Sequence, residues 1–570
     1  MRLIATLFAV MVSIPSISFA ESGSTLRIYK DTGVLVPTKE QPAEMQRVDE
    51  EGASAETGES DSVGPLVYIE TISVIGNTTL PEDKINQIIE PFVGRNLSTT
   101  EIHEVSDSLM DALRKAGAFT AKVYILPQDI DDNRLVLNIM EGHLAEDGIL
   151  LSHSSNRVKD DVITDQLENT LNPGSKLTAK KYERAVLLTN DLPGIKKTKN
   201  LIFPADNVGE AGFAVSPEDE NLVTGNLYYD NFGSYFTGRN RWGGTAQLNS
   251  PSGHAERLIA GGNISDYGTV FGYTDFSLPL YPNGLRGGVT LDFLNYKTDQ
   301  PNDLRGTGLD GSLYLYYPII RSRLKNLHSE LRYTYTALDD ENDLGTITDR
   351  VLNVGSLNFY GDVADSFFGG GVTTAKLEGF LGDVNLDGYE PFKEFDAFTA
   401  DTQGSFSRMT LSLTRLQHLV GDLQAYIAFN SQFASKRMDP AQSIAFGGPY
   451  NFPGYQVGDI FGDDGWMIHT DLRYNFKAPP WNGNLQASVY YDYGWIKTHT
   501  AAVVGGFPVP GAEDKGYHLQ SAGAGLSQIW EHFILQGLVG WQIDNQIPDT
   551  LLDDGGKDDF QAWIHLVYLF

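Results

Sequence analysis

From Glu220 to Phe570 the sequence runs in segments of roughly eight to twelve residues in which apolar and polar side chains alternate, with no apolar run long enough for a membrane helix. Residues 222–231, 288–296, 329–336, 424–433, 484–495 and 560–570 are the clearest of these segments. Alternation puts successive side chains on opposite faces of a strand, so such a chain must build sheet with two chemically different faces. In the last segment Phe560, Ala562, Ile564, Leu566, Tyr568 and Phe570 share one face. That suits a strand with its apolar side to lipid and an aromatic girdle at its end. A soluble propeller or sandwich shares the alternation, but the final strand, with the secretory signal at the other end of the chain, favours a membrane barrel. The 350 residues beyond 220 (570 − 220) would supply about 16 strands at roughly 20 to 23 residues per strand with its loop.

The start of the chain reads as an address. Arg2, the apolar stretch from Leu3 to Val12, the break at Pro15 and the small residues of Ser18-Phe19-Ala20 predict a signal peptide over 1–20. Residues 21–65 predict a flexible acidic leader; from Glu21 to Gly64 there are ten acidic and four basic residues. Cysteine is absent, which removes disulfides, thiolate metal sites and cysteine nucleophiles. With 42 basic and 74 acidic residues the formal charge is −32, which argues against a nucleic-acid partner.

Between leader and barrel the period changes. Residues 66–144 predict a strand (67–75), a helix from about Pro81 to Val93 and a second from Ser98 to Ala116. The second carries Ile102, Val105, Leu109 and Leu113 on one face and ends at Gly117. Strands 121–126 and 134–140 complete an α+β unit, and the same order returns less clearly over 145–219. The barrel is assigned to 220–570.

Certain runs carry a more specific signal. They are Gly117-Ala118-Phe119 through Tyr124-Ile125-Leu126-Pro127-Gln128, Leu135 to Gly142, Leu171-Asn172-Pro173-Gly174, and Tyr182-Glu183-Arg184-Ala185 through Asn190-Asp191-Leu192-Pro193-Gly194. Asp230-Asn231-Phe232-Gly233 and Thr237-Gly238-Arg239 follow at the barrel entrance. Together they resemble the TpsB-type two-partner secretion transporters, the filamentous-haemagglutinin and haemolysin secretion proteins of the BamA superfamily. The resemblance implies two periplasmic POTRA domains and a 16-stranded outer-membrane barrel put in place by the barrel assembly machinery. It also implies export, without a nucleotide, of an unfolded partner protein that becomes a β-helix outside. Val123, Tyr124, Ile125 and Leu126 are the expected capture strand, and Asn190, Asp191, Leu192, Pro193 and Gly194 the expected structural joint.

The resemblance further implies a long loop folded into the lumen, its arginine-glycine-aromatic tip paired with the aspartate of an aromatic-x-Asp-x-Gly strand motif. The frame is present in Gly447, Gly448, Gly454, Tyr455, Gly462-Asp463-Asp464-Gly465 and Asp471-Leu472-Arg473, and the strand motif in Tyr490 to Gly494, with Asp492. The tip departs: Pro453 stands where the arginine is expected. Arg473 or another lumen-facing base is then expected to neutralise Asp492, or the loop to be held less firmly. His469 and His565 read as solitary lumen or solvated residues.

Asp383, Asn385, Asp387, Gly388 and Glu394 match a calcium-loop pattern, but Pro391 lies inside it and neither flank reads as a helix, so a polar barrel loop is the competing reading. Gly306-x-Gly308-x-x-Gly311 is read as a barrel turn, and no nucleophile and base converge on a catalytic site. The rival functions are an assembly or insertion factor for membrane proteins and a passive diffusion pore.

Overall fold

The computed structural model describes residues 66–570 apart from 127, 129–131, 299–303, 459, 477–482, 499–502, 505–506, 509–514 and 544–558. The predicted signal and leader lie outside the described residues. The chain divides into two compact units between Asp219 and Glu220.

The expected strand over 67–75 is interrupted at Glu70. Val67–Ile69 pairs with a short strand Arg95–Leu97, whereas Thr71–Ile75 joins a sheet in parallel with Arg134–Met140. Helix Thr99–Lys115 starts at a reciprocal cap in which Ser98 and Glu101 satisfy each other's backbone N–H groups. Its Val105, Leu109 and Leu113 are fully buried, and Ile102 packs at the edge of the same core. The third strand of the sheet is Lys122–Tyr124, shorter than expected, and it lies at the edge.

In the second small domain helices Asp160–Leu171 and Ala179–Asn190 accompany a sheet ordered His143–Leu151, Glu210–Asp219, Ile195–Pro204. The two small domains are tied together. Ala179 N–H donates to Gly117 O at 2.9 Å, Leu177 N–H to Gly142 O at 3.1 Å, and Lys176 Nζ ion-pairs with the buried Glu141, which also accepts from Thr78 Oγ1.

Sixteen strands close on themselves with antiparallel neighbours throughout. The first is Val223–Asp230 and the last Phe560–Leu569, and five register pairs from His565–Asp230 to Leu569–Asn226 shut the ring. Closure leaves no sheet edge facing lipid, which the hydrocarbon would penalise heavily. The faces divide as the alternation requires: on the fifth strand, Leu285–Lys297, Val289, Leu291 and Phe293 are exposed outward while Thr290 and Asp292 are buried inward. The eighth strand, Gly345–Asp365, has 21 residues, twice the roughly 9–11 needed to cross a membrane. Its excess is hard to see in sequence because beyond the lipid both faces can be polar. The Gly306-Gly308-Gly311 pattern falls within the sixth strand, Arg305–Arg321, and not in a turn; a side chain at Gly306 would strike the Tyr296 ring.

Candidate functional site

Strand one runs away from the rim where the chain enters, so every loop after an odd-numbered strand lies at the far rim. Residues 435–463, after the eleventh strand Leu423–Ala434, begin there and turn down the inner wall before the twelfth, Asp464–Phe476. At the neck, Asp463 Oδ1 accepts from Met438 N–H at 2.7 Å, and its backbone oxygen accepts from Gln432 Nε2 at 3.0 Å. Asp439 receives Nη1 of the partly buried Arg350, on the eighth strand, at 2.9 and 3.0 Å. Strands Ile444–Phe446 and Ile460–Gly462 then pair as a short stem. Gly447 and Gly448 turn the chain at φ 114° and 96°, where a side chain would be strained.

The tip is an apolar wedge. Phe446, Phe452, Tyr455 and Ile460 pack with Met467, Ile496, Tyr517 and Leu519 of the twelfth, thirteenth (Asn484–Thr498) and fourteenth (Lys515–Ile529) strands. Gly494 is what allows this: a Cβ there would lie 2.8 Å from the Phe452 ring. Pro453 and Gly454 reach the last two strands. A Cβ on Gly540, in the fifteenth strand Phe533–Gln542, would lie 2.5 Å from the Pro453 carbonyl carbon, and Trp563 Nε1 donates to Pro453 O at 2.8 Å. Each fully buried large side chain contributes roughly 1.5–3 kcal/mol against about 1 kcal/mol for one hydrogen bond. The wedge therefore dominates the hold on the loop.

Asp492 is fully buried, and its partners are not the loop tip. Ser521 Oγ donates to Oδ2 at 2.6 Å, and His469 Nδ1 lies 2.6 Å from Oδ1. His469 and Ser521 are the residues directly opposite Asp492 on the two neighbouring strands. Of the two expected compensators, Arg473 is not the one, since its Nε donates to Asp471 at 2.6 Å and its guanidinium lies 4.1 Å over the Tyr426 ring; the other lumen-facing base is His469. Nor is His469 solitary; its other nitrogen is 3.9 Å from Asp471, so carboxylates flank the imidazole on both sides. These partners escape a sequence reading because cross-strand neighbours appear only once the register is known.

The calcium-pattern residues do not gather. Asp383 and Asn385 end the ninth strand, Gly371–Asn385, and Glu394 sits on a helix, Glu390–Phe398, that the sequence reading missed. Pro391 is in that helix's first turn, where proline needs no N–H partner. Lys393 Nζ takes Asp387 at 2.8 Å, and among the described residues no group of three or more acidic or histidine side chains is placed to hold a metal ion.

In the first small domain Val123 and Tyr124 belong to the three-residue edge strand, while Ile125 and Leu126 lie beyond it. The Gln128 side chain then takes over the pairing, accepting from Val136 N–H at 2.8 Å and donating to Val136 O at 3.0 Å. In the second, Asp191 caps helix Ala179–Asn190, Leu192 is buried and Gly194 turns at φ 98°. Asn190 Oδ1 accepts from Thr198 Oγ1 at 2.9 Å. The Asn190 to Gly194 run thus launches the strand Ile195–Pro204 and pins its first half.

Residues 67–142 match the family model of the ShlB-type POTRA domain, and residues 369–509 that of the haemolysin secretion/activation proteins ShlB/FhaC/HecB. In both of its units the chain is thus similar to the TpsB-type transporters. Among its relatives is the heme/hemopexin transporter protein HuxB of Haemophilus influenzae strain 86-028NP, 23% identical over 89% of this chain and 87% of that protein. The outer membrane transporter CdiB of Escherichia coli is 22% identical over 76% and 73%. The solved structure of CdiB from Escherichia coli superposes with a TM-score of 0.70 at 19% identity, covering 91% of this chain and 92% of that one. CdiB from Acinetobacter baumannii gives 0.60 at 17%, covering 89% and 90%. The transporter is therefore a 16-stranded outer-membrane barrel with periplasmic POTRA domains, serving two-partner secretion. The inward loop lies inside the stretch matched by the family model.

Proposed function

We propose that the transporter receives one unfolded exoprotein of β-helical type in the periplasm, by adding an extended segment of it to a POTRA sheet edge, and passes it through the barrel without nucleotide or resident metal. The observation that carries this reading is the loop of residues 435–463, laid along the inner wall and held by side-chain packing, hydrogen bonds and the Arg350–Asp439 ion pair, all non-covalent. Such a hold is reversible, because an arriving chain can replace apolar burial and backbone hydrogen bonds one at a time. Folding of the exoprotein outside would then draw the rest through. The barrel assembly machinery would insert the transporter, and outer-membrane lipid would surround it.

Comparing the culture medium with and without this chain tests the reading: one large secreted protein should disappear on deletion and return on complementation. A medium unchanged by deletion would overturn it.

A further inference from the structure

The two POTRA sheets offer very different edges. In the first domain the outer strand is three residues long and the Gln128 amide occupies the main-chain groups of Val136. In the second, the outer strand Ile195–Pro204 is ten residues long and among the described residues pairs only with Glu210–Asp219. A strand of that length with one free side is a template for another strand.

The open face of this sheet has a definite chemistry. Thr198, Asn200 and Ile202 are partly buried, whereas Lys197, Lys199 and Leu201 are exposed on the opposite face. Lys199 faces Ser216 across the strand pair and Leu201 faces Ala214, which is itself paired with the exposed Leu150. Lys196 and Lys197 share one carboxylate, Glu218, at 3.6 and 3.3 Å. Three exposed ammonium groups against Glu218 and Asp219, the latter opposite Ile195 and bound by Ser155 and Asn156, still leave this edge positive on a chain whose formal charge is −32.

We propose that Ile195–Pro204 is the docking edge for the exoprotein, taking an extended segment with carboxylates two residues apart and an apolar residue two further on, matched in turn to Lys197, Lys199 and Leu201. This rests on the proposed capture by strand addition and names where it occurs and what it selects. Alternate side chains of the incoming strand would fall beside the two lysines and the Leu201–Ala214–Leu150 row, while its main chain bonds the free edge.

The test uses full-length transporter in detergent and a short fluorescein-labelled peptide alternating threonine with Glu, Glu and Val, beside a counterpart with lysine for both glutamates. Anisotropy should show the acidic peptide binding roughly fivefold tighter, from two exposed cross-strand charge pairs. Lys197→Glu with Lys199→Glu should invert that preference, and Lys197→Gln with Lys199→Gln should erase it without repulsion. Equal binding of both peptides would leave the lysines as guards against edge pairing and overturn the proposal. So would a preference that survives charge reversal yet is lost in Val123→Pro. In cells, Lys197→Glu with Lys199→Glu should slow appearance of the secreted partner. If deletion of the transporter removes that partner but the charge reversal leaves its level untouched, the docking edge is wrong and the export reading stands.

Discussion

The indole N–H of Trp563, on the last strand of the barrel, donates to the carbonyl oxygen of Pro453 at the tip of the inward loop, 2.8 Å away. The same ring lies 6.0 Å from Phe232, just past the end of the first strand, and Phe232 in turn meets Tyr450 of the loop at 5.4 Å. The loop tip therefore touches residues on both sides of the line where strands one and sixteen close the ring.

Trp563→Phe keeps most of the ring and removes the hydrogen bond, so it should weaken the loop's hold by about 1 kcal/mol, while Trp563→Ala should lose about 3–5 kcal/mol. Limited proteolysis at 448–456 should rise in that order, and planar-bilayer conductance should rise with it. Equal protection in all three proteins would assign the hold to the wedge alone.

Gly540→Ala would force a methyl group to 2.5 Å from the Pro453 carbonyl carbon, a backbone atom that cannot turn aside. An overpacking penalty of about 1–3 kcal/mol should displace the tip. Gly272→Ala, where the nearest atom lies at 3.8 Å, is the matched control. Cysteine labelling at Tyr450→Cys should quicken in the first variant only.

Asp492→Ala leaves the Ser521 hydroxyl and the His469 imidazole without their shared acceptor, an expected loss of roughly 1–3 kcal/mol. Heat-modifiability on gels should shift to lower temperature. Arg473→Gln should not reproduce this defect, because that side chain serves Asp471 and Tyr426; matching shifts in the two variants would contradict the assignment.

The POTRA junction should respond to acid. Burial would raise the pKa of Glu141, but hydrogen bonds from Lys176 and Thr78 outweigh it and hold the group at about 2 against an ordinary 4.5. A depressed folded-state pKa means that the stabilisation is complete above about 4.5 and is lost as pH falls towards 2. Spin labels on the two small domains should show a broadening distance distribution across that window. Glu141→Gln should be broad at neutral pH and insensitive to acid; a distribution unaffected by either change would remove the junction from Glu141.

Much of this architecture is legible in local pattern. The alternation from Glu220 onward predicts about 16 strands because lipid on one side and a lumen on the other impose period two on every strand. The Ser98 to Gly117 helix is legible because its cap and its Val105, Leu109 and Leu113 stripe are short-range features. Glu390–Phe398 shows the limit: a helix opened by a proline within a polar loop has no periodicity long enough to read.

The sequence alone determined the kind of molecule, through periodicity, composition and a handful of turn-forming runs, each decided by residues close along the chain. The tertiary structure decided the partners. It gave Asp492 to His469 and Ser521, left Arg473 with Asp471, and anchored Pro453 on Trp563, 110 positions further along. Those contacts follow from register and closure, which set neighbours by the position of whole strands around a ring. No stretch of sequence short enough to read by eye contains that information.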